Sequence, residues 1–141
     1  MCDEENNLVG DLIADETVIY RACSKSTFLS KSKDAVQDVA FYKQGQNHKD
    51  GLSLALSSGD SVKHLGTNYG VIRIRVGDIH ALGLGLEVRA DLADLSHVLL
   101  RNLPCMDRTD DEKQTALMVS SELANLAEIE SASPVAKPVD D

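Results

Sequence analysis

Apolar residues alternate with polar or small residues in three separate segments, and this alternation constrains the fold more than any other feature of the chain. The alternating apolar positions are Leu52, Leu54 and Leu56; Ile72, Ile74 and Val76; and Leu82, Leu84, Leu86 and Val88. Successive side chains of a β-strand point to opposite faces, so alternation predicts strands with one buried face. A sheet built from such strands is expected to be antiparallel or mixed.

Short runs of β-branched and apolar residues predict further strands. Residues 17–23 begin with the run T-V-I-Y, which favours a strand, and residues 39–43 and 96–100 carry similar runs. In the segment 82–88 two of the residues between the leucines are glycines, so one face of that strand would be almost bare. A helix or a ligand could approach such a face closely. A sheet of about five strands is expected.

The C-terminal part of the chain predicts one long amphipathic helix over residues 109–129. Thr109 and Glu112 form the S/T-x-x-E pattern of a capping box, which marks the start of a helix. Apolar residues then recur at helical spacing, at Leu117, Val119, Leu123, Leu126, Ala127 and Ile129. The predicted fold class is therefore α+β, with this helix packed on a small mixed or antiparallel sheet.

The net charge of −9 is distributed unevenly along the chain. Residues 1–16 contain six acidic residues and no basic one, and residues 107–141 contain nine acidic and three basic residues. Between them, residues 17–106 contain eleven basic and eight acidic residues. We predict an acidic N-terminal segment over 1–16, a single domain over 17–129 and a disordered acidic tail over 130–141. The acidic ends either confer solubility or cover a basic surface and compete there with an anionic partner.

Composition disfavours several classes of function. The negative net charge argues against direct binding of nucleic acid, which needs a basic field to recruit phosphates. No apolar run approaches the roughly 20 residues of a membrane-spanning helix, so no membrane partner is expected. The N-terminus lacks the basic and apolar regions of a signal peptide, which predicts a cytoplasmic protein.

Sequence motifs predict neither a metal site nor a cofactor. The three cysteines have no C-x-x-C spacing, and Cys23 and Cys105 are expected to be packed thiols without a disulfide framework. The four histidines lack the spacing that places two metal ligands on one helical face. No phosphate-binding loop, nucleophile elbow or H-E-x-x-H motif occurs.

Two arginines share the outer face of the strand predicted over 71–76. Arg73 and Arg75 alternate with inward-facing isoleucines and would make this face basic. Because the common catalytic motifs are absent, the first hypothesis is a non-catalytic protein-interaction or accessory module that presents this face to a protein partner. The acidic ends would modulate access, and formation of a homo-oligomer is left open. A further alternative is an acidic inhibitor or antitoxin-like protein.

An enzymatic alternative rests on an arginine, a serine and a glutamate on successive predicted strands, Arg21, Ser53 and Glu87. In this chain order, over about 70 residues, they resemble the ADP-ribosyltransferase superfamily. The resemblance implies a nicotinamide dinucleotide (NAD) as cofactor, whose phosphates Arg21 would support. It also implies that Ser53 shapes the nicotinamide pocket and that Glu87 steadies the oxocarbenium charge. The serine element here is S-L-A instead of Ser-Thr-Ser, and position 85 is glycine instead of a helper glutamate or glutamine.

A second resemblance is carried by the segments Y-R-A-C at 20–23, A-F at 40–41 and D-G-L-S at 50–53. This arrangement is similar to that of small uncharacterised bacterial proteins that share a Y-R…A-F…G-L-S pattern. The similarity implies a family and no particular activity.

Overall fold

Strands outnumber helices along the part of the chain that the structure describes. This structure is a computed structural model, and it describes residues 8–32, 34–44, 51–63, 67–131 and 135–136. The strands are β1 (Val9–Leu12), β2 (Val18–Ala22), β3 (Leu52–Ala55), β4 (Thr67–Asn68), β5 (Val71–Arg75), β6 (Glu87–Asp91), β7 (His97–Arg101), β8 (Glu128–Ser131) and β9 (Val135–Ala136). The helices are α1 (Ser58–Val62), α2 (Val76–His80) and α3 (Asp110–Leu126).

Seven of the described strands form one antiparallel sheet in the order β1-β6-β7-β3-β2-β5-β8, and β4 pairs with β9 in a separate sheet. The α+β class, the antiparallel sheet and the C-terminal helix are confirmed. The prediction of about five strands is wrong, because β1 and β8 extend the sheet at its two edges. Each edge strand pairs with one neighbour that is distant in sequence, and local periodicity carries no information about such pairing.

Two segments predicted as strands have a different structure. Residues 39–43 overlap a 3₁₀ turn at Asp38–Phe41. In 82–88, the glycines at 83 and 85 adopt positive φ angles of 70° and 76° in the turn that follows α2, and β6 begins only at Glu87. No described atom lies within 4 Å of the position that a Cβ would take on either glycine. These glycines therefore serve the turn conformation, and the expected close approach does not occur.

The inner face of the sheet and α3 share one hydrophobic core. Leu52, Leu54, Ile72 and Ile74 are buried there, as the alternation predicted, together with Val119, Leu123 and Ala124 of the helix. The N-terminus of α3 is capped by Thr109, whose hydroxyl accepts a hydrogen bond from the Glu112 amide at 3.2 Å. The helix ends at Leu126, three residues earlier than predicted, because Ala127 is extended and leads directly into β8.

The two cysteines of the predicted domain differ in chemical state. Cys23 is a free, fully buried thiol, as expected. Cys105 is equally buried but is disulfide-bonded, so the expectation of a packed thiol at this position is wrong. An odd number of cysteines without a repeated spacing excludes a disulfide framework, but it does not exclude a single bridge.

Parts of both predicted acidic ends lie outside the described residues, namely residues 1–7, 132–134 and 137–141. The parts that the structure describes include three strands, β1 near the N-terminus and β8 and β9 near the C-terminus. None of the described helices has the length and apolar character needed to cross a membrane.

A candidate binding cleft between two strands

The central strands β2 and β3 separate from each other after a single register pair. Tyr20 of β2 lies opposite Ala55 of β3. By contrast, β2 forms five register pairs with β5, and β3 forms four with β7. Regular ladders therefore join β2 to β5 and β3 to β7, while a cleft opens between β2 and β3.

The Arg21 side chain fills the inner part of this cleft and connects its two walls. Its Nη1 donates a hydrogen bond to the Ser53 carbonyl oxygen at 2.8 Å, and its Nε donates to the Ala40 carbonyl oxygen at 2.7 Å. The guanidinium carbon lies 5.6 Å from the centre of the Phe28 ring, within cation–π range. Arg21 therefore supplies hydrogen bonds across the cleft where the strand ladder is interrupted.

The positive charge of Arg21 has no carboxylate partner among the described residues. Both of its described hydrogen bonds go to neutral carbonyl oxygens, and these use two of the five guanidinium N–H groups. Burial lowers the pKa of Arg21 to about 10, with a small opposing effect from the nearby Cys23 thiol. The group is still protonated at neutral pH, so the cleft contains a partly buried cation that no described carboxylate binds in an ion pair.

A cavity of about 200 Å³ lies over Arg21 in the cleft. Most of its polar lining consists of hydroxyl groups, with one carboxylate and one imidazole, contributed by Tyr20, Ser24, Ser53, Asp60, Ser61 and His97. This volume is below the roughly 300 Å³ of the smallest typical drug-sized sites, so it suits one ring-sized group of a ligand. Hydroxyl groups around a guanidinium can donate to an anion or to the hydroxyls of a sugar.

His97 is a cleft residue that the sequence did not single out. Its backbone pairs with Ala55, and its Nδ1 lies 3.4 Å from a carboxylate oxygen of Asp94. A hydrogen bond from Ser96 lowers the pKa of Asp94 and keeps this carboxylate ionised. The spacing D-x-x-H at 94–97 is the signal that could have identified the pair. An imidazole oriented by a carboxylate can exchange a proton with a bound ligand.

Glu87 lies apart from Arg21 and Ser53. Glu87 is on β6 and pairs with Arg101 of β7. Ser53 is on β3, which pairs with the opposite side of β7, where Ser53 lies opposite Leu99. The Glu87 carboxylate binds the Arg89 guanidinium through contacts of 3.1 and 3.3 Å, and this hydrogen bonding lowers the pKa of Glu87. Glu87 lines a different cavity, of about 350 Å³. The structure thus brings together two of the three residues of the enzymatic hypothesis.

The predicted partner-binding arginines share the outer face of β5, and both form ion pairs. Arg73 binds Glu128 and Glu130 of β8, at 2.9 and 2.6 Å. Arg75 binds Asp78 at 3.2 Å. The basic charge of this face is therefore offset by acids of the same chain. Partner binding at these arginines stays a prediction.

Within the described residues, no group of three or more histidine, cysteine, aspartate or glutamate side chains is arranged to hold a metal ion. The candidate binding features are therefore the Arg21 cleft and the ion-paired Arg73 and Arg75 of β5. Comparison of the chain with family models, with curated proteins and with solved structures found no match.

Proposed function

We propose that this protein binds an anionic small molecule in the cleft between β2 and β3, with the anionic group at Arg21. The observation that carries the proposal is the guanidinium of Arg21, which no described carboxylate binds in an ion pair and which burial destabilises enough to lower its pKa to about 10. A ligand anion would provide the counter-charge that the described residues do not supply. Such perturbed groups at the edge of a cavity are typical of functional sites.

The resemblance to ADP-ribosyltransferases makes NAD the first ligand to test. Its phosphates match the charge of Arg21, and the hydroxyl groups of Tyr20, Ser53 and Ser61 suit a ribose. The cavity is large enough for one ring of the dinucleotide, so the other half would extend over the surface. The proposal is limited to binding, since Glu87 lies in another cavity and its role in transfer stays a prediction.

Thermal unfolding in the presence of NAD tests this proposal. A ligand at ten times its Kd stabilises the folded state by about 1.4 kcal/mol, which corresponds to a rise in Tm of roughly 3–6 °C for a chain of this size. Nicotinamide mononucleotide and inorganic pyrophosphate, tested in parallel, separate recognition of the ring from recognition of the anion. If none of the three raises Tm at millimolar concentration, the proposal is wrong.

Two variants and one control locate the binding site. Arg21→Lys keeps the positive charge but removes the planar fork that reaches both walls, and we expect at least tenfold weaker binding. Ser53→Leu fills the cavity from an exposed position without changing Arg21, so it should abolish binding while the protein stays folded. Glu87→Gln is the control, because it lies outside the cavity and should leave Kd unchanged. If Arg21→Lys, Ser53→Leu and Glu87→Gln all bind NAD with the same Kd, the ligand binds outside this cleft.

A further inference from the structure

The acidic C-terminal strand β8 forms one edge of the sheet and covers the two arginines of β5 unequally. Glu128 lies opposite Arg73 in the register, and Ile129 lies opposite Ile72. Glu128 and Glu130 both bind the Arg73 guanidinium, while the partly buried Ile129 packs against the core. Along β8 the order is therefore acid, apolar residue, acid. The two acids bind Arg73 of β5, and the apolar residue lies opposite Ile72.

The ion pairs that hold β8 against β5 are exposed to solvent. The side chains of Glu128 and Arg73 are 70% and 42% exposed, and ion pairs with this exposure contribute little to stability. The strand has four residues with alternating exposed and half-buried positions, and its register with β5 shifts between Val71 and Ile72. A short edge strand with few buried contacts belongs to the part of a protein that opens locally at low free energy.

The register also leaves Arg75 beyond the reach of β8. In an antiparallel pair with Glu128 opposite Arg73, the residue opposite Arg75 would be Leu126. Leu126 is the last residue of α3, so the chain cannot supply an acid there as part of the strand. A cavity of about 320 Å³ lies at this place, lined by Arg73, Arg75, Leu126 and Glu128 among others. An extended segment two residues longer than β8 would fit into it.

We propose that the edge of β5 is a docking site for an extended acidic segment of a partner protein, which binds by displacing β8. The segment has acids at alternate positions, separated by apolar residues, and adds a strand to the sheet. Its acids pair with Arg73, as Glu128 and Glu130 do, and one additional acid pairs with Arg75. The acid at Arg75 competes only with the exposed Asp78 carboxylate, and the chain's own β8 makes no such contact. This site is independent of the Arg21 cleft.

A fluorescent peptide of sequence S-E-V-E-I-E-S tests the proposal on the full chain. We expect it to bind the wild-type protein with an affinity that falls as salt is raised. The double variant Glu128→Gln with Glu130→Gln weakens the competing strand, so it should bind the peptide about three- to tenfold more tightly. Both substitutions are at exposed positions, and circular dichroism serves as the folding control. Unchanged or weaker binding by this variant would overturn the proposal.

A double-mutant cycle tests the additional contact at Arg75. Arg75→Gln and, separately, replacement of the first peptide glutamate by glutamine should each weaken binding by about three- to tenfold. Combining both changes should cause no further loss, because they remove the same ion pair. Additive losses, or equal binding of the peptide S-K-V-K-I-K-S, would contradict the predicted register. A concentration-dependent dimer in light scattering, formed without peptide, would show instead that a second copy of the chain occupies this edge.

Discussion

At the scale of single residues, burial dominates the chemistry of β2 and its end. Arg21 and Cys23 are two positions apart, and burial shifts the pKa of each towards its neutral form, downwards for the guanidinium and upwards for the thiol. The guanidinium borders a cavity, whereas the thiol is completely enclosed. Of these two perturbed groups, only Arg21 is therefore placed to meet a ligand.

The buried thiol predicts a loss of stability at alkaline pH. Burial raises the pKa of Cys23 from 9.0 to about 11, with Arg21 acting weakly in the opposite direction. The folded protein then holds this proton more tightly than the unfolded chain, so its stability contribution is complete below pH 9 and is lost between pH 9 and 11. The loss amounts to about 2 kcal/mol. Urea unfolding from pH 8 to 11 should show a shallower decline for Cys23→Ala, and parallel curves would contradict the assignment.

Two glycines at matching positions in short helices should respond oppositely to alanine. A Cβ on Gly77 would lie 2.9 Å from the Asp15 carbonyl oxygen, a backbone atom, so Gly77→Ala should destabilise the protein by about 1–3 kcal/mol. A Cβ on Gly59 would have its nearest neighbour at 4.0 Å, and Gly59→Ala should stabilise by up to about 1 kcal/mol. Chemical denaturation measures both. If both variants changed the free energy of unfolding in the same direction, the predicted close approach at Gly77 would be refuted.

At the scale of elements, α3 shows which local signals determine a helix. Its start follows from the capping residue, and its buried positions include two members of the predicted stripe, Val119 and Leu123. Its end is set by the pairing of β8 with β5, since Ala127 and Ile129 would otherwise continue the apolar periodicity of the helix. The same competition between helix and sheet creates the strand that covers Arg73.

Removing the cap should cost more than removing a similar hydroxyl from the middle of the helix. Thr109→Ala leaves the Glu112 amide without its hydrogen-bond acceptor, with an expected loss of about 1 kcal/mol. Thr115 is exposed and its hydroxyl binds the Asp111 carbonyl oxygen, so Thr115→Ala should change stability by less than about 0.5 kcal/mol. The free energies of unfolding of the two variants provide the comparison. The prediction fails if Thr115→Ala is the more destabilising of the two.

At the scale of the whole molecule, His80 joins a linker, a helix and a strand that are distant from one another in sequence. The Val88 amide can only donate, so Nε2 of His80 accepts from it at 3.2 Å and the neutral ring carries its proton on Nδ1. Nδ1 then donates to the Asp15 carboxylate at 2.8 Å. The imidazole thus ties the linker between β1 and β2 to α2 and β6.

Loss of this imidazole should therefore destabilise the protein more than loss of its exposed partner. His80→Ala leaves the Val88 amide, in a fully buried residue, without its acceptor, with an expected cost of about 1–3 kcal/mol. Asp15 is 65% exposed, and Asp15→Ala should cost less than about 1 kcal/mol. Thermal unfolding of both variants distinguishes these outcomes. Equal losses would mean that the Asp15 contact, and not the buried amide, holds this linker.

Local sequence pattern was sufficient for the fold class and for the inward residues of β5. For β3 it was right at Leu52 and Leu54 but wrong at Leu56, which is exposed just beyond the end of the strand. Alternation placed Ile72 and Ile74 inward and Arg73 and Arg75 outward, because side-chain direction in a strand depends only on the parity of the position. The same pattern failed over 82–88, since two glycines there adopt positive φ angles that no strand accommodates. It also could not identify the edge strands, whose partners are distant in the chain.

The candidate site depended on tertiary structure to a larger extent. Sequence pattern alone predicts that Arg21 and Ser53 lie on strands and shows that acids are concentrated towards the ends of the chain. The strand order decided that Arg21 and Ser53 share a cleft while Glu87 lies in another cavity, and that the C-terminal acids reach Arg73. The physical reason is that each strand's neighbours are chosen by burial of the whole sheet, which no local segment of sequence encodes.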